Sequence, residues 1–260
     1  MESFQAVAED TVKDVPELEE ASGPKLHIVL PSCDDKFTSQ HVAGQLELSR
    51  LLVGRKIPHA YLYHTGGSHI SGARNETTKT FLRGNAEVMF FIDDDIGFRG
   101  ADAIHMYDAI VAEGKDRGVI GGTYARKRLQ LDEAYKAAKG GCDYETFRRT
   151  LLEYNLLIQD GKARYMPGEN LLQSTHAPTG FLMIRRWVFE KLAEKFPDNM
   201  MDGEMFNYFG YGPAPGDKNQ WGEDYYFSQL CRLAGIDIWI YLGAKLSHRG
   251  MYTYEGLELP

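Results

Sequence analysis

Long apolar runs are missing from this chain. No stretch approaches the roughly eighteen uninterrupted apolar residues that mark a membrane-crossing helix, and the N-terminus lacks the basic-then-apolar pattern of a signal peptide. A cytoplasmic protein without a membrane span is expected. Cysteine is scarce as well: Cys33, Cys142 and Cys231 are odd in number, scattered and without CxxC spacing, which argues against a disulfide framework or a thiolate zinc site. They read as reduced thiols. Positive charge is in deficit, with 29 Lys and Arg against 37 Asp and Glu and a net charge of -8. Bulk attraction to nucleic acid is thereby excluded, although a local basic groove is compatible with an acidic whole. Internal repeats and low-complexity tracts are absent.

What is present is ordinary globular material: 260 residues, 43% hydrophobic and 25% charged, enough for a sizeable core. From Glu2 to Glu20 seven acidic residues face one lysine, Lys13, with little periodicity, so residues 1–24 are expected to form an acidic, flexible arm. Residues 25–260 read as a single domain. Short apolar runs alternate there with amphipathic stretches, the pattern of an α/β fold. Strands are predicted at 26–30, 59–64, 88–92, 118–122, 179–184 and 236–242. Helices are predicted over about 39–55, with Val42, Leu46, Leu48, Leu51 and Leu52 at helical spacing, over 71–82 with Ser71 as its cap, and over 101–114. Residues 125–178 depart from this rhythm and read as a polar, helical insertion. The expected architecture is a mostly parallel central sheet flanked by helices.

The segment FFIDDDIGF, residues 90–98, is the chemical puzzle. Three like charges at the end of a buried strand repel one another, and more strongly as water is excluded, so a cation or a solvated turn must account for them. An acidic turn is ordinarily a solvated loop or a helix cap. Here the flanks are apolar and the strand is central, and open α/β sheets bind ligands at the carboxyl ends of their strands. Asp93 and Asp95 can face one ligand if the backbone turns at Asp94. Paired carboxylates suit Mn2+ or Mg2+, and His248 in KLSHRG could add a third ligand that favours Mn2+. Taken alone, His248 is a surface-loop histidine.

A second constellation lies in WGEDYYFSQLCRLAG, residues 221–235, where Glu223 and Asp224 open an amphipathic helix with Phe227, Leu230 and Leu233 on its buried face. Acidic residues in a first turn ordinarily complement the helix dipole. The long loop that delivers them, FNYFGYGPAPGDKNQWG, suggests in addition a carboxylate serving as general base on an acceptor hydroxyl. Tyr208, Phe209, Tyr211 and Trp221 of this loop either pack on their own domain or stack on a sugar or base. Arg126 and Lys127 are placed to reach phosphate or to form a solvated edge; Arg185 and Arg186 read as surface residues, and His176 as a remote acceptor contact.

In shared order the chain carries PSCDDK, GGSHISGARN, FIDDDIGF, GGTYARK, PTGFLMIRRWVFE, EDYYFSQLCRLAG and HRGMYTYEG. This series resembles GT-A glycosyltransferases, especially the family 2-like branch and small related proteins of bacteriophages and bacteria, over nearly the whole chain after the acidic arm. The resemblance implies a Rossmann-like GT-A domain that moves a sugar from a nucleoside-diphosphate sugar with the help of Mn2+, or of Mg2+, in the cytoplasm, that of the host if the protein is phage-encoded. It further implies that Asp93 contacts the ribose or assists the metal, that Asp95 and His248 hold the metal, and that Asp224 is the base of an inverting reaction. A Glu223 approaching from the donor side would instead imply retention. Arg74, with Asn75 beside it, matches a residue facing the diphosphate; Asp34 lies where the nucleobase is received, and Thr179 and Gly180 line the sugar and acceptor pocket. Asp94 stands at a spacer that is commonly alanine in such proteins, which leaves open which of the three aspartates ligates. The acceptor is a hydroxyl on a glycan, a protein or a modified nucleic-acid base. Two other readings remain: a two-metal phosphoryl-transfer enzyme or nuclease, which the charge of -8 does not favour, and a noncatalytic nucleotide-sugar-binding module.

Overall fold

Leu26, Ile28 and Leu30 alternate with Val29 between two faces of one strand, β1 (Leu26–Ser32), and Val88, Phe90 and Ile92 alternate with Met89 and Phe91 in β3 (Val88–Ile92). Every one of these side chains is buried, because the sheet they belong to is covered on both sides. The computed structural model describes residues 25–67, 69–158, 164–201 and 203–250. The acidic arm predicted for 1–24 lies outside the described residues.

In chain order the remaining elements are α1 (Ser39–Gly54), β2 (His59–Thr65), α2 (Ile70–Arg83), β4 (Ile96–Gly97), α3 (Gly100–Val111), β5 (Val119–Gly122), β6 (Ala125–Leu129), α4 (Leu131–Lys139), α5 (Tyr144–Leu151), β7 (Leu152–Tyr154) and β8 (Tyr165–Met166). A 3-10 turn (Pro167–Glu169), β9 (Leu171–Ser174), β10 (Phe181–Arg185), α6 (Arg186–Lys195), β11 (Met200–Met201), β12 (Met205–Phe206), α7 (Glu223–Leu233), β13 (Ile238–Tyr241) and β14 (Ser247–His248) follow. The central sheet has the order β2-β1-β3-β10-β5-β13-β9-β8. Strands β2, β1, β3, β5, β13 and β8 run one way, and β10 and β9 run against them. Leu48 and Leu52 of α1 and Ile104, Met106 and Ile110 of α3 cover one face; Phe81 of α2, Phe189 and Leu192 of α6, and Phe227 and Leu230 of α7 cover the other. Burial of each such side chain contributes about 1.5–3 kcal/mol. Among the described residues no helix is long and apolar enough to cross a membrane.

The reversed direction of β10 has a consequence for chemistry. Its first residues, preceded by Thr179 and Gly180, lie at the same sheet edge as the carboxyl ends of β1, β3 and β5, where open α/β sheets place their ligands.

Four expectations need correction. The stretch 125–178 is not a helical insertion alone: β8 and β9 extend the main sheet, and β6 pairs with β7 apart from it. Strands of two to five residues are too short for alternation to announce them. In α1, His41 and Gly44 occupy the buried stripe while Val42 and Leu46 are exposed, and in α7 Leu233 is exposed, its place taken by Cys231. Ser71 does not cap α2; it sits inside the helix and its hydroxyl donates to the Phe209 carbonyl. Arg185 and Arg186 are not surface residues. Arg186 donates to the carbonyls of Phe81, Leu82, Gly84 and Ala86 at 2.8–3.1 Å, closing the carboxyl end of α2, where orphaned carbonyls favour a cation. Arg185 does the same, more weakly, for Ile110 of α3 at 3.3 Å.

Candidate active site

The three aspartates follow β3 in a turn whose backbone groups are tied to neighbouring segments. Asp93 N–H donates to Gly180 O at 3.0 Å, and Ile96 N–H returns to Asp93 O at 3.1 Å. Thr38 N–H donates to Asp94 O at 3.0 Å, and Arg249 N–H to Asp95 O at 3.0 Å. His41 adds a contact from Nδ1 to Asp93 O at 3.0 Å. The carbonyls of the turn thus have their partners from neighbouring segments. His41 was not legible in the sequence: a histidine in an amphipathic helix carries no mark of the turn beneath it.

Each carboxylate has a different neighbour. Asp93 accepts from Arg74 Nη2 through both oxygens, at 2.9 and 3.0 Å. Arg74 is 1% exposed, its guanidinium carbon 5.1 Å from the centre of the Phe91 ring, and its Nε and Nη1 find no protein partner among the described residues. Burial opposes its charge, but Asp93 and Glu223 outweigh that and hold its pKa above the ordinary value. Asp94 is raised, mainly by burial and further by Asp95 and Asp93. Asp95 is lowered: burial pushes it up, and His248 and Lys127 more than reverse this.

His248 reaches Asp95 across 153 positions of sequence because β14 pairs with β4, setting His248 opposite Ile96. Its Nδ1 lies 2.8 Å from the Ala125 carbonyl, which can only accept, so Nδ1 carries the proton. In the neutral ring Nε2 is then a bare lone pair, 3.6 Å from Asp95 Oδ1. Lys127 Nζ is paired with Asp95 Oδ2. Tyr124, which the sequence reading also passed over, sits behind this group. Its hydroxyl accepts from Gly180 N–H at 3.0 Å and its ring centre is 4.9 Å from that of His248. Only glycine fits at 180, since a Cβ there would overlap the Tyr124 hydroxyl and meet Asp93 Oδ2 at 3.0 Å.

Asp224 stands at the start of α7. Burial, then the Glu223 charge, raises its pKa to about 6, against the pull of the Tyr225 N–H and of Arg74. Glu223 also pushes up the Tyr211 phenol, after burial. Tyr211 borders a cleft of about 270 Å³ lined also by Ser32, His64, His69 and the three aspartates. The amino end of α2 opens on it with no side-chain cap, leaving N–H groups suited to an anion.

The structure thus gathers Asp93, Asp94 and Asp95 on one cleft, joins Asp95 to His248 and Lys127, and links Asp224 and Glu223 to them through the charge of Arg74. It does not assemble the expected trio of Asp93, Asp95 and His248. Among the described residues no three His, Cys, Asp or Glu side chains form a ligand set, because buried Arg74 claims Asp93 as its counter-charge. For the same reason Arg74 stands behind Asp93 and not on the cleft. Asn75 is likewise withdrawn: its amide accepts from the N–H groups of Tyr208 and Phe209 and donates to Asn207 Oδ1, fixing the 207–209 segment. Tyr208 and Phe209 are accordingly core residues. Asp34 is exposed and paired with Lys36 at 2.9 Å. Thr179 is buried beside Gly180. Arg126 is engaged by Glu153, Asn155 and the Tyr225 hydroxyl. His176, driven down to about 4 by burial, packs against Trp221 and Tyr225.

No family model matches the chain, and no curated protein matches its sequence. Solved structures resemble it in shape. Protein A197 from STIV is 17% identical, with a TM-score of 0.49 over 87% of this chain and 86% of its own. GalNAc-T7, crystallised with UDP, GalNAc and Mn2+, is 12% identical with a TM-score of 0.43, over 86% of this chain and 44% of its own. Glucosyl-3-phosphoglycerate synthase from Mycobacterium tuberculosis, in complex with Mn2+ and UDP-glucose, is 11% identical with a TM-score of 0.36, over 68% of this chain and 66% of its own. At such scores these likenesses carry no weight for function, which has to rest on the geometry of this chain.

Proposed function

We propose that the protein is a metal-dependent GT-A-type glycosyltransferase that moves a sugar from a nucleoside diphosphate to an acceptor hydroxyl with inversion, Asp224 being the general base. The observation that carries this reading is the pairing of Asp95 with a histidine whose Nδ1–H is fixed on a backbone carbonyl. Metal-ligating histidines are oriented in this way, with the free nitrogen turned to the ion. Nε2 and the Asp95 carboxylate oxygen face each other at 3.6 Å, so a divalent ion seated between them would meet an imidazole nitrogen and a carboxylate together. The donor set, imidazole and carboxylate, suits Mn2+ better than Mg2+. Asp95 and His248 would hold the ion, with phosphate oxygens and water completing its shell. When bound it would supply charge stabilisation to the departing diphosphate.

The chain's own residues do the rest. Arg74 fixes Asp93 in the wall of the cleft, and the uncapped start of α2 offers N–H groups to phosphate. Asp224 takes the proton of the incoming hydroxyl as the glycosidic bond breaks, and a carboxyl near 6 is charged at neutral pH while remaining more basic than an ordinary aspartate. The acceptor hydroxyl belongs to a glycan, a protein or a modified nucleic-acid base.

Thermal denaturation with UDP, GDP, CDP and ADP, with and without MnCl2, tests this. At one hundred times its Kd a nucleotide stabilises by about 2.7 kcal/mol, which for a chain of this size raises Tm by roughly 5–10 °C. At least one nucleotide should give that rise with Mn2+ and not with EDTA, and Asp95→Ala should remove it. A rise of equal size in EDTA, or one retained by Asp95→Ala, rules the reading out.

A further inference from the structure

We infer that Lys127 is a tethered counter-cation with two stations: it neutralises Asp95 while no divalent ion is bound, and it is driven from that carboxylate onto the diphosphate when one enters. This rests on the reading of Asp95 and His248 as metal ligands.

Both oxygens of Asp95 are accounted for, Oδ2 by Lys127 Nζ and Oδ1 by the facing His248 Nε2. The carboxylate is 26% exposed in a turn that also holds Asp93 and Asp94, where an uncompensated charge would be costly. Asp93 has buried Arg74 for this purpose; Asp95 has His248 on one oxygen and, on the other, the exposed Lys127, a partner that can leave. A divalent ion on Oδ1 and Nε2 would stand within a few ångströms of the ammonium and repel it.

Lys127 is built to yield. Its side chain is 43% exposed on β6, whose pairing with β7 shifts register between Ala125 and Leu129, and Asp95 is its single ion-pair partner among the described residues. Arg126 beside it differs, being tied to Glu153, Asn155 and Tyr225. The Lys127 stem, however, is guided. Gly250 lies over it so closely that a Cβ there would fall 3.1 Å from Cγ, and His248 is anchored two residues before on Ala125 O of the same strand. The ammonium can therefore swing on its terminal carbons while its base stays beside the metal ligands. Asp95 borders the cleft in which the diphosphate is proposed to bind, so a displaced ammonium has an anion within reach of its stem. A flexible point charge suits this exchange, whereas the planar fork of an arginine would hold the carboxylate more firmly.

Isothermal titration of the full chain with MnCl2 alone tests the first station, comparing wild type with Lys127→Met, Lys127→Arg and His248→Ala, each shown by circular dichroism to be folded. Lys127→Met should bind Mn2+ about tenfold more tightly than wild type, from removal of one adjacent positive charge; Lys127→Arg should bind it no more tightly than wild type, and His248→Ala more weakly. The second station is read with inorganic pyrophosphate titrated as its manganese complex, which Lys127→Met should bind about tenfold more weakly. Unchanged or weaker Mn2+ binding by Lys127→Met, in a protein whose Mn2+ binding depends on His248, overturns the counter-cation role alone. Unchanged pyrophosphate affinity removes the second station and with it the exchange. Absence of Mn2+ binding in wild type and Lys127→Met alike overturns the metal reading and this inference together.

Discussion

Asp224→Asn should lower kcat by about 10²–10⁴-fold, the range that a positioned general base supplies, while leaving nucleotide and Mn2+ affinity close to wild type. The amide keeps the shape and the hydrogen bond from Tyr225 N–H but cannot take a proton. The wild-type pH profile carries an independent mark of the same group. A general base works deprotonated, so kcat should fall about tenfold per unit as pH drops below the Asp224 pKa of about 6, and should level off above it. The sign follows from burial and the neighbouring Glu223, which raise the value and so move the limb upward from the ordinary carboxylate range into an accessible window. In Asp224→Asn that limb should be absent from whatever activity remains. Steady-state rates between pH 4.5 and 8 decide it; full turnover in the asparagine variant would remove Asp224 from the chemistry.

Arg74→Met should be the most destabilising single change in the site. It leaves Asp93 without its buried partner, and breaking a buried pair from one side costs about 3–5 kcal/mol. Asp93 is 26% exposed and water will screen part of the charge, while Arg74 Nε and Nη1 no longer need partners, so the lower end of that range is expected. For a chain of this size roughly 3 kcal/mol lowers Tm by about 6–12 °C. Adding Asp93→Asn should recover most of the loss, because the remaining carboxamide carries no charge. A Tm for Arg74→Met within a degree or two of wild type would mean that the pair does not hold the turn.

Much of the scaffold was legible in the sequence, because the central strands are apolar runs bounded by turns. Val88–Ile92 and the strand starting at Leu26 stand where the pattern puts them, and the helix over residues 39–54 begins after Thr38, whose side chain accepts from His41 N–H. What escaped were elements stabilised by tertiary pairing alone. The two-residue strands Ile96–Gly97 and Ser247–His248 have no periodicity, yet their pairing brings His248 to Asp95. His248 as a partner of Asp95 was nonetheless expected, from residue type and from family resemblance.

The rest of the site was read with less success where charge placement depends on burial. Arg74 looked like a residue for phosphate and is instead a buried counter-ion; Asn75 looked like its neighbour in function and is a clamp on Tyr208 and Phe209. Both lie on the inward face of α2, and nothing in ISGARNETT says which residues of that face meet ligand and which meet the loop from Asn207 to Phe209. Tyr124 and His41 act through a backbone N–H and a backbone carbonyl, partners that leave no trace in residue identity.

The central claim is that Asp95 and His248 grip a divalent ion at the mouth of the cleft. Anomalous scattering at the manganese edge, from crystals soaked with MnCl2 and a nucleoside diphosphate, tests it most directly. The account predicts one strong peak bridging Asp95 and His248 Nε2, with phosphate oxygens on its far side and Lys127 no longer on the carboxylate. A manganese peak elsewhere, with Lys127 still seated on Asp95 and nucleotide bound, would contradict it.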